Sequence, residues 1–187
     1  MVGTTKDLGE EWIKGRMPHP ETLRFAQGDR AAAHIEQIHK LFKGEAMKRV
    51  PTVITGTVGM DAHVIGTKVL SRALRDAGFK VVELGMQVTP EEFISVAQET
   101  KADAILMSSL YGMAELDLKG FNEKRMEAGL GDVILYIGGN LVIGRTDPKE
   151  VEKKFKALGF DRVYPPETDT DAGIEDLKKD LKAKGKM

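Results

Sequence analysis

Asp61-Ala62-His63 lies between Gly59 and Gly66, directly after the apolar run Val53-Ile54-Thr55-Gly56-Thr57-Val58. An aspartate and a histidine on a glycine-flanked turn form an ionisable pair that can serve a ligand. A loop histidine on its own is more often a surface or hydrogen-bonded residue, so the pair needs company before it counts as a site. Three other segments offer it: Ser108-Ser109-Leu110-Tyr111-Gly112, Gly138-Gly139-Asn140 and Pro165-Pro166-Glu167-Thr168. They bring small hydroxyls, and paired glycines that let a backbone approach a bulky ligand. Each alone has a plainer reading, since Ser-Ser after a strand is a turn or cap and Gly-Gly is a turn.

The surrounding elements decide whether the four segments meet. From residue 51, apolar β-branched runs alternate with helical periods. The pattern predicts strands over 52–57, 80–84, 104–108, 133–137 and 162–164. It predicts helices over 63–77, 90–100, 117–128, 148–158 and 172–182. Thr89-Pro90-Glu91-Glu92 is a helix start with threonine as N-cap, and Gly78, Gly129 and Gly159 are helix stops. Alternating βα units imply a parallel sheet covered on both faces. The expectation is an α/β, flavodoxin-like, doubly wound five-stranded sheet of order 2-1-3-4-5, whose ligands bind beyond the carboxyl ends of the strands. All four segments fall at that edge.

Composition narrows the ligand. The chain has 187 residues, of which 41% are apolar and 30% charged, the profile of one globular domain with some chain to spare. A net charge of −1 offers no general attraction for nucleic acid or an anionic membrane. With no cysteine there are no thiolate ligands, cysteine nucleophiles or disulfides, which fits a cytoplasmic protein. No apolar run approaches the roughly 20 residues of a membrane helix, and the first residues lack the apolar stretch of a secretory signal. His34 and His39 stand five apart, roughly 140° around a helix, so they do not share a metal from one face. The lysine-rich C-terminal helix end reads as a solvated face favoured by the helix dipole.

Three familiar doubly wound sites do not fit. The loop after strand 1 holds Asp61 and His63 where a flavin phosphate needs Ser, Thr and Gly. The third strand ends in Ser108 where a receiver domain needs aspartate. Gly56, Gly59 and Gly66 lack the dinucleotide-binding spacing.

Asp61-x-His63-x-x-Gly66, Ser108-x-Leu110 and Gly138-Gly139, in that order at the ends of strands 1, 3 and 4, resemble the signature of cobalamin-binding domains of the base-off, histidine-on type. The stretches KADAILMSSLYG, YIGGNLVIG and FDRVYPPET, with GIEDLKKDL beyond, are similar to the small (sigma) subunits of glutamate mutase over roughly residues 48–183. The resemblance implies that His63 is the lower axial ligand of cobalt, an ion that imidazole suits. It implies that Asp61 accepts the other ring N–H and so fixes the tautomer. It places the displaced nucleotide tail in the sheet between strands 1 and 3. There Gly66 leaves room, Ser108 hydrogen-bonds the benzimidazole and Leu110 packs beside it. Met60, Ala62, Val64, Ser109, Gly138, Gly139, Asn140, Leu141, Val142, Ile143, Gly144, Tyr164 and Thr168 complete the implied cofactor contacts. Glu167 departs from the pattern by adding a charge beside them.

The implied cofactor is adenosylcobalamin, whose radical chemistry interconverts (S)-glutamate and (2S,3S)-3-methylaspartate. The implied partner is a large TIM-barrel subunit that holds the substrate, in a heterotetramer. The chain is then one half of an isomerase, inactive alone, with no catalytic group beyond the cobalt ligand. The alternative is a corrinoid carrier for a cobalamin-dependent methyltransferase. Such carriers bear a four-helix module that residues 1–46 are too short to supply. A cobalamin-responsive regulator lacks any visible DNA-binding element.

Residues 1–46 fall outside the resemblance, and the expected division is 1–46, a short extension that is helical or partly disordered, and 47–187, the cobalamin-binding domain. Helical spacing is expected after Pro20 and over 30–43. Met47 reads either as an alternative start or as a residue preceded by a genuine extension. Intact mass of the native protein decides, because a mass lacking 46 residues eliminates the extension.

Overall fold

The computed structural model describes residues 49–187 except residue 145. The helices expected before residue 47, and the domain boundary itself, lie outside the described residues.

The described chain runs β1 (Thr52–Val58), α1 (Ile65–Asp76), β2 (Lys80–Val88), α2 (Pro90–Thr100), β3 (Ala104–Ser108), α3 (Ala114–Asp117), α4 (Phe121–Glu127), β4 (Ile134–Gly138), α5 (Pro148–Ala157), β5 (Arg162–Tyr164) and α6 (Thr170–Ala183). The strands form one parallel sheet in the order β2-β1-β3-β4-β5, as the alternating pattern predicts. The order reverses between β1 and β3, where ligands of such sheets gather.

Strand alternation divides the core. Ile54, Ile105, Met107, Leu135 and Ile137 point to the face covered by Phe93 of α2, Phe121 of α4 and Phe155 of α5. Val53, Ala104, Leu106, Ile134 and Tyr136 point to the other face, covered by Leu74 of α1 and by Ile174, Leu177 and Leu181 of α6. Both clusters are buried, which is why the central strands read as unbroken apolar runs.

Helix starts follow their local signals. Thr89 and Glu92 form a reciprocal capping box at α2, with Pro90 in the first turn. Asp147 and Asp169 cap α5 and α6 through their side chains.

Two expected elements differ. The single helix predicted over 117–128 is broken into α3 and α4, because Gly120 takes φ 78°, a left-handed conformation that no helix interior continues through. Strand β2 runs four residues beyond its predicted end at 84. The register between β1 and β2 shifts at Thr55/Gly56 and Gly56/Val58, and the irregular backbone at Gly85 and Gln87 absorbs the extra length.

Candidate functional site

The turn after β1 buries its carboxylate and exposes its imidazole. Asp61 is 1% exposed, whereas the His63 side chain is 63% exposed. One Asp61 oxygen accepts the ring Nδ1–H of His63 at 2.6 Å and the His63 backbone N–H at 2.9 Å. The other accepts the backbone N–H of Leu110, just beyond β3, at 2.5 Å. Burial pushes the Asp61 carboxyl up. The N–H groups of His63 and Leu110 and the imidazole outweigh it, and the carboxyl lies below the usual carboxylate range. An aspartate ionised in this way takes the Nδ1 proton as its hydrogen-bond donor. That leaves the lone pair on Nε2, and among the described residues nothing takes it.

Tyr111 braces the turn from the β3 side. Its hydroxyl accepts the Met60 N–H at 3.3 Å and donates to the Asp117 carboxylate of α3. Sequence reading put Tyr111 on the rim but gave it no role, and it missed Asp117 as part of the site. The signal was a phenol placed directly after Ser108-x-Leu110, at the same sheet edge as the turn.

Behind the turn, a cavity of about 230 Å³ lies between the sheet and helices α1 and α6. Gly66, Thr67 and Leu70 form one wall, Leu106, Ser108, Tyr136 and Gly138 the floor, and Tyr164, Thr168 and Gly173 the far side. A Cβ built on Gly66 meets nothing within 4 Å, so the glycine leaves its share of the cavity open. Ser108 puts a hydroxyl in an otherwise apolar floor, and no described residue hydrogen-bonds it.

The slot expected between β1 and β3 is not there. The two strands pair directly from Val53↔Ala104 to Thr57↔Ser108, and hydrogen-bonded strands stand only about 4.8 Å apart. The room lies over β3 and β4 instead, on the face that α1 and α6 cover.

A second cavity, of about 240 Å³, is lined by Asn140, Leu141, Val142 and Gly144 and shares Gly139, Tyr164, Pro165 and Pro166 with the first. Met60 and Ile143 stand exposed on the same rim, and Ala62, His63 and Leu110 are also exposed there. Val64 is half-buried and caps α1. Ser109 differs from its neighbour. It is fully buried, lines neither cavity, and its hydroxyl has no partner among the described residues.

The donor set limits what could bind. The described residues contain no cluster of three or more histidine, cysteine, aspartate or glutamate side chains able to hold a metal ion. His63 can therefore offer one nitrogen, and a metal it binds must bring its remaining ligands with it. A corrin does so, and the cavity behind the turn leaves space for an appended aromatic group. No described helix is long and apolar enough to cross a membrane.

Comparison with known proteins agrees with this geometry. Residues 51–175 match the B12 binding domain family. The glutamate mutase sigma subunit of Carboxydothermus hydrogenoformans is 56% identical over 135 residues, covering 72% of this chain and 98% of that protein. The glutamate mutase sigma subunit of Clostridium cochlearium is 52% identical over 130 residues, covering 70% of this chain and 95% of that protein. A crystal structure of a cobalamin-binding protein from Desulfitobacterium hafniense DCB-2 superposes with a TM-score of 0.58 at 20% identity, over 94% of this chain and 77% of that one, a likeness of fold. The chain belongs to the family of glutamate mutase sigma subunits, built on a B12 binding domain.

Proposed function

We propose that the chain is the cofactor-holding subunit of glutamate mutase. In this reading it seats adenosylcobalamin through His63 and works in the cytoplasm with a large TIM-barrel subunit, as a heterotetramer. The pair interconverts (S)-glutamate and (2S,3S)-3-methylaspartate, and this chain alone turns over nothing. One observation carries the reading: an exposed imidazole is held by Asp61, and the same carboxylate is tied to Leu110, which lines a cavity of about 230 Å³.

Adenosylcobalamin supplies radical chemistry. The protein's part is to hold and orient. His63 offers Nε2 to the metal. Asp61, tied to two backbone N–H groups, keeps the ring in one tautomer. Gly66 and Gly138 keep the tail cavity open, and the Ser108 hydroxyl is available to the tail's polar edge. The rim segment 140–144, with Met60, Ala62, Val64 and Leu110, would hold the macrocycle edge. The exposed apolar side chains of Met60 and Ile143 suit that contact.

The test is the EPR spectrum of cob(II)alamin bound to protein labelled with ¹⁵N-histidine. The superhyperfine pattern is expected to change from the ¹⁴N triplet to the ¹⁵N doublet, and to be lost in His63→Ala. Asp61→Asn should keep the coupling but weaken cobalamin binding about 10- to 100-fold, the usual loss when the partner of a ligating histidine is removed. Persistence of the ¹⁴N triplet in labelled protein means that the cofactor has kept its own base, which sinks the reading. Affinity capture then separates the partners. A TIM-barrel mutase subunit supports the proposal, and a methyltransferase in its place refutes it.

A further inference from the structure

Helix α6 forms one wall of the tail cavity, and a row of polar groups outside the cavity holds it there. Asp176 and Asp180 stand one turn apart on α6 and face β5. Arg162 of β5 forks onto both oxygens of Asp180, from Nε at 2.8 Å and from Nη2 at 2.9 Å, and reaches Asp176 from Nη1 at 3.1 Å. The hydroxyl of Tyr136 on β4 donates to Asp180 at 2.6 Å, and that of Tyr164 on β5 donates to Asp176 at 3.2 Å. The two tyrosine rings meet edge to face, 5.5 Å between centroids, and both line the cavity. Their hydroxyls are thus committed to the α6 carboxylates.

We infer that Arg162, Asp176 and Asp180 are positioning residues for the tail cavity. They act through Tyr136 and Tyr164, fixing two aromatic walls and the first turn of α6 in the arrangement that receives the nucleotide tail. This rests on the cobalamin-holding reading above. A two-pronged arginine–carboxylate contact constrains geometry more than a single charge pair does. The Arg162 side chain is 36% exposed, so solvent screens the pair and its share of global stability is modest. Burial raises the Tyr136 hydroxyl above its ordinary pKa, and the Asp180 carboxylate it donates to raises it further, so the phenol stays a donor at working pH. The Arg162 guanidinium draws the Asp180 carboxyl below its ordinary value. Nothing in this group reaches the Asp61–His63 turn.

That separation gives the test. The probe is the ribonucleoside of 5,6-dimethylbenzimidazole, a tail without corrin or cobalt, titrated by NMR in parallel with intact cobalamin. The wild type is expected to bind both. Arg162→Ala should bind the nucleoside about 10-fold more weakly, the scale on which supporting partners act on a site. Tyr136→Phe should show a smaller loss in the same direction. His63→Ala should lose the cobalt–nitrogen coupling, and Lys124→Ala, at an exposed ion pair on α4 outside the cavity lining, should bind the nucleoside as the wild type does. If Arg162→Ala does not fold, Tyr136→Phe, which removes one oxygen, carries the comparison. Unchanged nucleoside binding in Arg162→Ala, or in Tyr136→Phe where it alone folds, overturns the inference. So does equal weakening in Lys124→Ala, which would mark general loosening. A wild type that binds cobalamin but not the nucleoside also overturns it. A wild type that binds neither overturns the cobalamin reading itself.

Discussion

Gly66→Leu is expected to bind cobalamin at least about 100-fold more weakly than the wild type while unfolding at the same temperature or above it. The two effects have separate causes. Gly66 lies in the first turn of α1 and lines the tail cavity, and a Cβ there meets nothing within 4 Å. A leucine there can extend over the cavity from open space, its Cβ displacing no protein atoms. Glycine in a helix costs about 1 kcal/mol relative to the best helix formers, so the fold gains slightly from the change. A tail that must share about 230 Å³ with an isobutyl group loses its seat. A 100-fold loss is about 2.7 kcal/mol, within what exclusion of one well-packed aromatic group can remove. Titration followed by absorbance, with a thermal melt of the apoprotein, reads both quantities. Unaltered affinity would mean that the tail does not enter between α1 and the sheet. Gly66→Ala should fall between the two.

The parallel sheet was legible because its central strands β1, β3 and β4 are buried on both faces and α2, α5 and α6 open on local signals such as Thr89-Pro90. The three-part signature was legible because its parts lie at strand ends, and the sheet order brings strand ends together. What escaped depends on contacts between distant segments. Tyr111 and Asp117 brace the Asp61 turn across fifty residues of chain. Arg162 finds its partners on α6, which no local pattern links to it. Ser108 and Ser109 look alike in the sequence, yet one lines the cavity and the other is buried away from it. Strand alternation accounts for the difference, since successive side chains leave opposite faces of the sheet. The slot expected between the first and third strands failed on elementary spacing, because strands that share hydrogen bonds have no room between them.

Gly138 and Gly139 read as one motif, yet the structure gives them different reasons to be glycine, and substituting each should separate fold from binding. Gly139 has φ 118°, a conformation that L side chains rarely adopt. A Cβ there would lie 2.2 Å from the Ser109 carbonyl oxygen and 3.0 Å from its carbon. Neither side can yield easily. The Gly139 N–H donates to Tyr164, and the Ser109 N–H donates to Gly138, each at 3.1 Å. Ser109 is fully buried, and the next residue, Leu110, is tied to Asp61. Gly139→Ala is therefore expected to destabilise the fold by about 3–5 kcal/mol, the range of a backbone clash combined with forbidden torsions. That corresponds to a melting temperature lower by about 10 °C for a chain of this size. Gly138 has no such constraint. Its Cβ would rest 3.4 Å from the Cβ of Tyr164, an ordinary contact, on the floor of the tail cavity. Gly138→Ala should keep most of its stability and lose affinity for cobalamin, because the added methyl narrows the cavity. Urea unfolding of both apoproteins and one cobalamin titration of Gly138→Ala decide the matter. Equal stabilities, or a greater loss at 138, would show that the pair acts as a single turn. The opposite ordering would show one glycine serving the chain's own closure and its neighbour serving the ligand.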